Sequence, residues 1–360
     1  MRYDRQMFLL AILLTLAISL GCGTSTSSGK PPQLITDVYA TGAQADLTTG
    51  VLSAVYWKNG AMVALTPNSQ AYSIAVSGSD VYVAGLQNTN KQYYAAVVWK
   101  NGTPIQLSDG TSFAVAYAVA VSGTDVYAAG YQAAAAPAGT QAGYWKNGIF
   151  TALPDHGEGS QALGISISGP DVYVVGYRTQ TTQVDPTHFL HAWVAQYWKN
   201  GVPVDLTDAT NFAYGTSIFV AGPDIYVGGT QCPADGSPCL GYYWKNGSPV
   251  AATTQLYSQV TSVAVAGTSV YASVNQLNND RLSQGLLLKD TTLLPLSGEP
   301  AGNVNQVATI GNDVYVAGKI AANGQGKADI AAVWKNGTLI PLTDGTHNSY
   351  ATGVAVVQHN

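Results

Sequence analysis

The sequence predicts an all-β fold, a seven-bladed β-propeller with four antiparallel strands per blade, and three observations predict it. Trp-Lys-Asn-Gly begins at Trp57, Trp99, Trp145, Trp198, Trp244 and Trp334, and a worn copy, Leu288-Lys289-Asp290-Thr291, falls where one more is due. Asp-Val-Tyr or a near variant ends at Tyr39, Tyr82, Tyr127, Tyr173, Tyr226, Tyr271 and Tyr315. The interleaved signatures repeat at roughly 45 residues, a period that marks repeat architectures. The spacing is regular: 17 to 19 residues from each tyrosine to the next Trp position, except 25 between Tyr173 and Trp198.

Each unit holds four short stretches with strand character. The first is of the type Ser73-Ile74-Ala75-Val76, alternating small and branched residues as a strand packed on both faces does. A Gly-first pair such as Gly78-Ser79 or Gly169-Pro170 follows and suits a two-residue hairpin. The second stretch is of the type Val81-Tyr82-Val83-Ala84-Gly85, and the third ends in Tyr-Trp-Lys. Asn-Gly then supplies the positive φ angles of a type I′ turn. The fourth is of the type Pro104-Ile105-Gln106-Leu107, ahead of a Ser-Asp-Gly turn. A blade cannot cover its own apolar faces, so blades stack and the ring closes. The repeat enters at a second strand, Asp37-Val38-Tyr39, and ends after a first strand, Thr352 to Val357. The C-terminal strand is therefore expected to complete the N-terminal blade.

Composition narrows the function. Charged residues are 10% of the 360, against ~25% in ordinary soluble domains. A net charge of −5 without a basic block argues against a nucleic-acid partner. Residues 1–21 read as an export signal: Arg2 and Arg5, an apolar core from Met7 to Ile18, then Ser19-Leu20-Gly21 before Cys22. Cysteine directly after the small residue resembles a bacterial lipoprotein signal, with Cys22 the acylated residue; the alternative is an ordinary signal cut nearby. Residues 22–36, rich in Ser, Thr, Gly and Pro, read as a flexible tether, and 37–360 as the propeller.

Lipidation of Cys22 leaves Cys232 and Cys239, which bracket Pro233-Ala234-Asp235-Gly236-Ser237-Pro238. A disulfide is expected there, worth about 2–3 kcal/mol by loop closure. Two metal-bound thiolates are the alternative, but no further Cys or His lies nearby in the sequence.

The alternation of Asp-Val-Tyr-Val-Ala-Gly with Tyr-Trp-Lys-Asn-Gly resembles the repeats of a group of exported bacterial propellers, many of them lipoproteins, over residues 37 to 357. It lacks the Gly-Gly pair of kelch repeats and the closing Trp-Asp of WD40 repeats. The resemblance implies a fold and an envelope location, and Gly23 after Cys22, rather than Asp, resembles a lipoprotein passed to the outer membrane in a host that has one. It implies no activity and no cofactor.

Hairpin geometry separates two faces. First-to-second and third-to-fourth turns share a uniform face, where seven lysines from Lys58 to Lys335 form a ring opposed by a ring of aspartates including Asp37, Asp80 and Asp313. The other face carries the variable loops, where binding residues usually sit. Its best candidate is the insertion from Arg178 to Trp193, with Arg178, Asp185, His188, His191 and Trp193 as the chemistry-bearing residues. It reads as a binding lip, as a loop folded back onto the blade, or as a metal site using Asp185, His188 and His191. The repeated tryptophans read as wedges between blades, and Asp109, Asp155, Asp208 and Asp344 as turn residues bonding nearby backbone. Asp155, His156 and Glu158 set carboxylates beside a histidine, but no partner nucleophile can be placed from sequence. The leading expectation is a membrane-tethered, non-enzymatic propeller that binds a protein or glycan partner. Its rival is a carbohydrate-active hydrolase or lyase, which requires carboxylates converging in the funnel.

Overall fold

A computed structural model describes residues 34–359 except 47–48, 90, 134–138, 156–157, 186–187, 279–281, 299–300 and 323–327. The side chains of Val184, Asp185, His188 and Ala301 also lie outside the description, as does all of residues 1–33, with Cys22 and the export signal. Seven four-stranded antiparallel sheets form a ring, the expected seven-bladed propeller. Blade two shows the plan: inner strand Ser69–Ser77, second strand Asp80–Asn88, third strand Tyr94–Lys100 and outer strand Thr103–Gln106.

Closure follows the sequence expectation. The C-terminal strand Ser349–His359 is the inner strand of blade one, paired with Ile35–Ala45 from Ile35↔His359 to Gln44↔Ser349. The free edges that remain belong to short outer strands. Pro104, Pro203 and Pro249 sit on them and remove backbone donors with which another chain could pair.

The two sequence signatures meet in one turn. Gly78 at φ 59° opens the first hairpin; Asn101 at 51° and Gly102 at 86° form the second. Asn101 is tolerated there because its short polar side chain bonds locally. Its Oδ1 accepts from the Val81 amide at 2.8 Å, and its Nδ2 donates to Asp80 Oδ1 at 2.8 Å. Lys100 reaches Asp80 Oδ2 at 2.7 Å and lies 5.4 Å from the Tyr82 ring centroid. Six blades repeat the Lys–Asp pair. In blade six Ser269 replaces the aspartate, yet Asp290 holds φ 55° and accepts from the Val270 amide as the asparagines do.

These pairs leave a pH signature. Hydrogen bonds from Lys100 and Asn101 hold Asp80 below its ordinary 3.8, and Lys146 and Asn147 do the same for Asp125. The unfolded chain therefore binds these protons more readily. The stabilisation is complete above 3.8 and is lost as pH falls through the lower folded values. Exposure keeps it small. Replacing Asp80, Asp125 and Asp224 together by Asn is expected to shallow the acid limb of a stability–pH curve taken by urea unfolding. An unchanged limb would show that the turns carry no such linkage.

Seven wedges, each drawn from two neighbouring blades, make up most of the core, and a smaller cluster around Leu86, Val115 and Tyr131 adds to it between blades two and three. The six motif tryptophans are at most 1% exposed, and Leu288 takes the equivalent place in blade six. Trp99 packs with Tyr39 and Ala54 of blade one, and its indole N–H donates to Thr66 Oγ1 at 2.9 Å in the connection entering blade two. Trp198 and Trp334 donate in the same way to Pro154 O and Ser297 O.

Candidate functional site: an aromatic mouth on the variable face

The turn face is uniform, so differences between blades concentrate on the opposite one. In blade four the second and third strands run from Asp171–Asp185 and His188–Lys199, several residues beyond those of blade three. The stretch expected as an inserted loop instead continues the ladder, with Thr179↔Trp193, Thr181↔His191 and Asp185↔His188 in register. Its Thr, Val and aromatic residues favour strands, and a paired hairpin satisfies its backbone without a core of its own.

This hairpin sorts the candidate residues. Arg178 is buried and turned to Asp205, with Nη2 at 2.8 Å and Nε at 3.3 Å, while Nη1 donates to Gln180. His191 Nδ1 lies 2.9 Å from Thr181 Oγ1. Trp193 alternates onto the hairpin face that holds Tyr177 and Phe189. Asp185 and His188 face each other at the tip, but their side chains lie outside the described residues. Among the described residues no cluster of three or more His, Cys, Asp or Glu is placed to hold a metal. Cys232 and Cys239 form the expected disulfide, on the loop of blade five that begins opposite Phe212.

Register exposes a feature that the sequence reading missed. Every inner strand carries a bulge at the same place, skipping Tyr72, Tyr117, Leu163, Thr216, Thr261, Asn305 and Thr352 in turn. In four blades the skipped residue bonds the backbone carbonyl just ahead of the next blade's bulge. Thr216 donates to Val260 O, Thr261 to Val304 O, Asn305 to Ala351 O and Thr352 to Ala71 O, at 2.7 to 3.1 Å. A polar belt thus runs from blade five through blades six, seven and one to blade two. It stops there. Leu163 has no donor, and Tyr72 carries its hydroxyl at the far end of the ring, where it donates to Gln70 Oε1 at 2.7 Å.

Where the belt stops, aromatic rings take over. Tyr72 and Tyr117 lie 5.0 Å apart between ring centroids, Tyr117 and Tyr131 6.0 Å, and Tyr131 stacks on Phe113 at 6.0 Å. On the far side Trp193 lies 4.9 Å from Tyr177, with Phe212 and Tyr214 edge-on at 6.0 and 6.2 Å. Burial pushes the Tyr177 phenol up to about 12, and the neighbouring Tyr117 hydroxyl adds to the shift. Tyr72 and Tyr131 are raised further, first by burial and then by Tyr117 beside them. These phenols stay protonated and neutral at any physiological pH. One wall therefore spans blades two to five.

No protein-family model and no curated protein matches this chain. Solved structures do match in shape. A puromycin-hydrolysing peptidase of Mycobacterium tuberculosis aligns with TM-score 0.52 at 13% identity, over 86% of this chain and 52% of that one. The β-propeller domain of the Trilobed protease from Pyrococcus furiosus, described as having an open velcro topology, aligns with TM-score 0.51 at 11% identity, over 86% and 95%. Pyrococcus horikoshii acylaminoacyl peptidase gives 0.51 at 13% identity, over 86% and 51%. This chain spans about half the length of the two peptidases, and at these identities the likeness concerns the fold alone.

Below the mouth the central channel encloses about 400 Å³, and its described lining contains no charged side chain. The paired carboxylates of a sugar-cleaving funnel are not among those residues. Five described carboxylates elsewhere are occupied. Asp109, Asp208 and Asp344 accept from the threonine two residues on, as expected of turn aspartates. Asp155 accepts from Ser160 Oγ at 3.2 Å, and Glu158 accepts from the Thr181 amide. His156 lies outside the described residues.

A signal for this site was present in the sequence. The skipped residue stands at or immediately before the start of each first-strand motif, as Tyr72 precedes Ser73-Ile74-Ala75-Val76. The glycine closing the second-strand motif marks the same bulge, since a Cβ on Gly85 would lie 1.9 Å from the Gln70 carbonyl oxygen. Five other blades repeat that approach, at Gly42, Gly130, Gly176, Gly229 and Gly318.

Proposed function

We propose that this chain is an extracytoplasmic binding propeller, tethered to a membrane through Cys22, that holds a protein or glycan partner on its variable face. The observation that carries this reading is the aromatic wall of blades two to five, standing over a channel whose described lining carries no charge. A concave site with fixed rings and a few polar groups is what recognition without bond-breaking requires. The Cys232–Cys239 disulfide supports the compartment, because such bonds persist where the surroundings are oxidising. The signal-like residues from Arg2 to Cys22 support the anchor.

The test is a binding screen against an array of glycans and envelope proteins, with two variants alongside the parent chain. Trp193→Ala, on the variable face, is expected to lose at least tenfold in affinity for whatever binds. Lys146→Ala, on the turn face, is expected to bind as the parent does. The reverse pattern would put the site on the wrong face.

A further inference from the structure

We propose that the ligand of this mouth is an uncharged glycan, with one sugar ring seated on Trp193 and the chain continuing over the tyrosines toward blade two. This rests on the binding-propeller reading above and narrows it to one ligand class.

Trp193 is unlike the other six tryptophans. They are at most 1% exposed, whereas Trp193 is 40% exposed. An indole in water at the rim does no wedge packing, yet its orientation is held. Tyr177 lies beside it at 4.9 Å with 30° between planes, and Phe212 and Tyr214 brace it edge-on. A flat surface already held in place costs little conformational entropy when something settles on it. Phe189, four register positions nearer the tip on the same hairpin face, is 55% exposed and adds a second apolar surface beyond His191.

The chemistry around the platform selects the ligand. A pyranose offers an apolar C–H face to a ring and hydroxyls at its edge. The wall offers rings for the first, and for the second the phenols of Tyr177, Tyr117 and Tyr72 together with the Gln259 amide, which reaches Tyr214 Oη at 3.3 Å. Two charged groups beside the hairpin are already spent, Arg178 on Asp205 and Glu158 on the Thr181 amide. An anionic or cationic ligand would surrender its hydration here without gaining a counter-charge. Size argues the same way. A stable protein partner covers about 800 Å² of mostly flat surface per side. The central channel of about 400 Å³, which meets this wall at Tyr72 and Tyr117, falls instead in the range of small-ligand pockets.

The exposure contrast supplies the readout. In the parent chain acrylamide reaches Trp193 and not the six buried indoles, so the quenchable part of the emission reports this platform. The chain would be titrated with cello-, chito- and manno-oligosaccharides, with oligogalacturonate as the charged comparison and a proline-rich peptide as the protein-like one. The expected result is saturable protection of the quenchable emission by at least one neutral oligosaccharide, insensitive to salt, and no protection by oligogalacturonate. Trp193→Ala, followed by calorimetry, should lose at least tenfold in affinity. Tyr117→Phe, which keeps the ring and drops the hydroxyl, should lose about three- to tenfold, with both variants melting as the parent does. Binding of the peptide or an envelope protein in a Trp193-dependent way, with no response to any sugar, would overturn the glycan inference and leave the binding-propeller reading standing. Sugar binding that survives both substitutions would overturn the placement. If neither the sugars nor the array produces a ligand for this face, both readings fall.

Discussion

A chain lacking residues 349–360 will not show a cooperative melting transition. Those residues supply the whole inner strand of blade one, so their loss strips Ile35–Ala45 of a partner along ten register positions. At ~1 kcal/mol net per backbone hydrogen bond, that ladder alone approaches the ~5–15 kcal/mol that holds a typical domain together. The deletion also removes Thr352, which donates to Ala71 O of blade two, and Ala351 O, which accepts from Asn305 of blade seven. Two links of the polar belt go with the strand; the wedge with blade seven loses Ala351 and Val354, and the wedge with blade two loses Ala355 and Val357. The exposed edge of Ile35–Ala45 would then invite pairing between chains. Near-ultraviolet circular dichroism during a thermal melt, with sedimentation to detect aggregation, reads the outcome. A shortened chain that melts within a few degrees of the parent would mean that the ring is not latched by its own C-terminal strand.

Trp99→Ala should cost about 3–5 kcal/mol, the range for emptying a buried aromatic site. Trp99 is fully buried between blades one and two, and its N–H is spent on Thr66. A comparison within the same protein separates packing from hydrogen bonding. Trp57 sits in the matching wedge between blades seven and one, but its Nε1 has no hydrogen-bond partner among the described residues. Trp99→Phe should therefore destabilise by about 1 kcal/mol more than Trp57→Phe, the net value of one hydrogen bond. Urea unfolding of the four proteins reads both differences. Equal losses for the two phenylalanine variants would show that the indole N–H contributes nothing at this position.

The wedge and the mouth differ in how readily they were read, and the reason is physical. A tryptophan at a fixed distance before Asn-Gly can only lie at the end of a third strand, because the turn sets the strand's register and the strand's period sets the side. Wedge, turn and closure all follow from spacing along the chain. The cation over each tyrosine and the paired aspartate belong to the same local arithmetic, since Lys100, Asp80 and Tyr82 meet across a single turn. The inserted segment was legible as an irregularity but not as a hairpin. The pattern Thr179, Thr181, Thr182 and Val184 favours strand, whereas its length favoured a loop.

The mouth was hidden because it depends on what seven blades have in common and where three of them depart from it. Tyr72, Tyr117 and Leu163 look unexceptional beside Thr216 and Thr261 until the bulge places them at one height around one channel. The rings that build the wall come from different blades, with Tyr131, Tyr177 and Phe212 contributed by blades three, four and five. No periodicity along the chain records that Trp193 leans on Phe212 or that Tyr131 stacks on Phe113. Arg178 makes the same point in reverse: a cation in a candidate lip proved to be committed to Asp205, a residue 27 positions away.

The amino-acid order alone determined the number of blades, the strand order within each, both turn types, the latch and the Cys232–Cys239 bond, because each is decided by residues close in sequence or by a strict repeat. The three-dimensional ring alone decided which side chains share the mouth, where the polar belt breaks and which tryptophan meets solvent. Those outcomes depend on how neighbouring blades come together, and contacts across an interface leave no spacing to count.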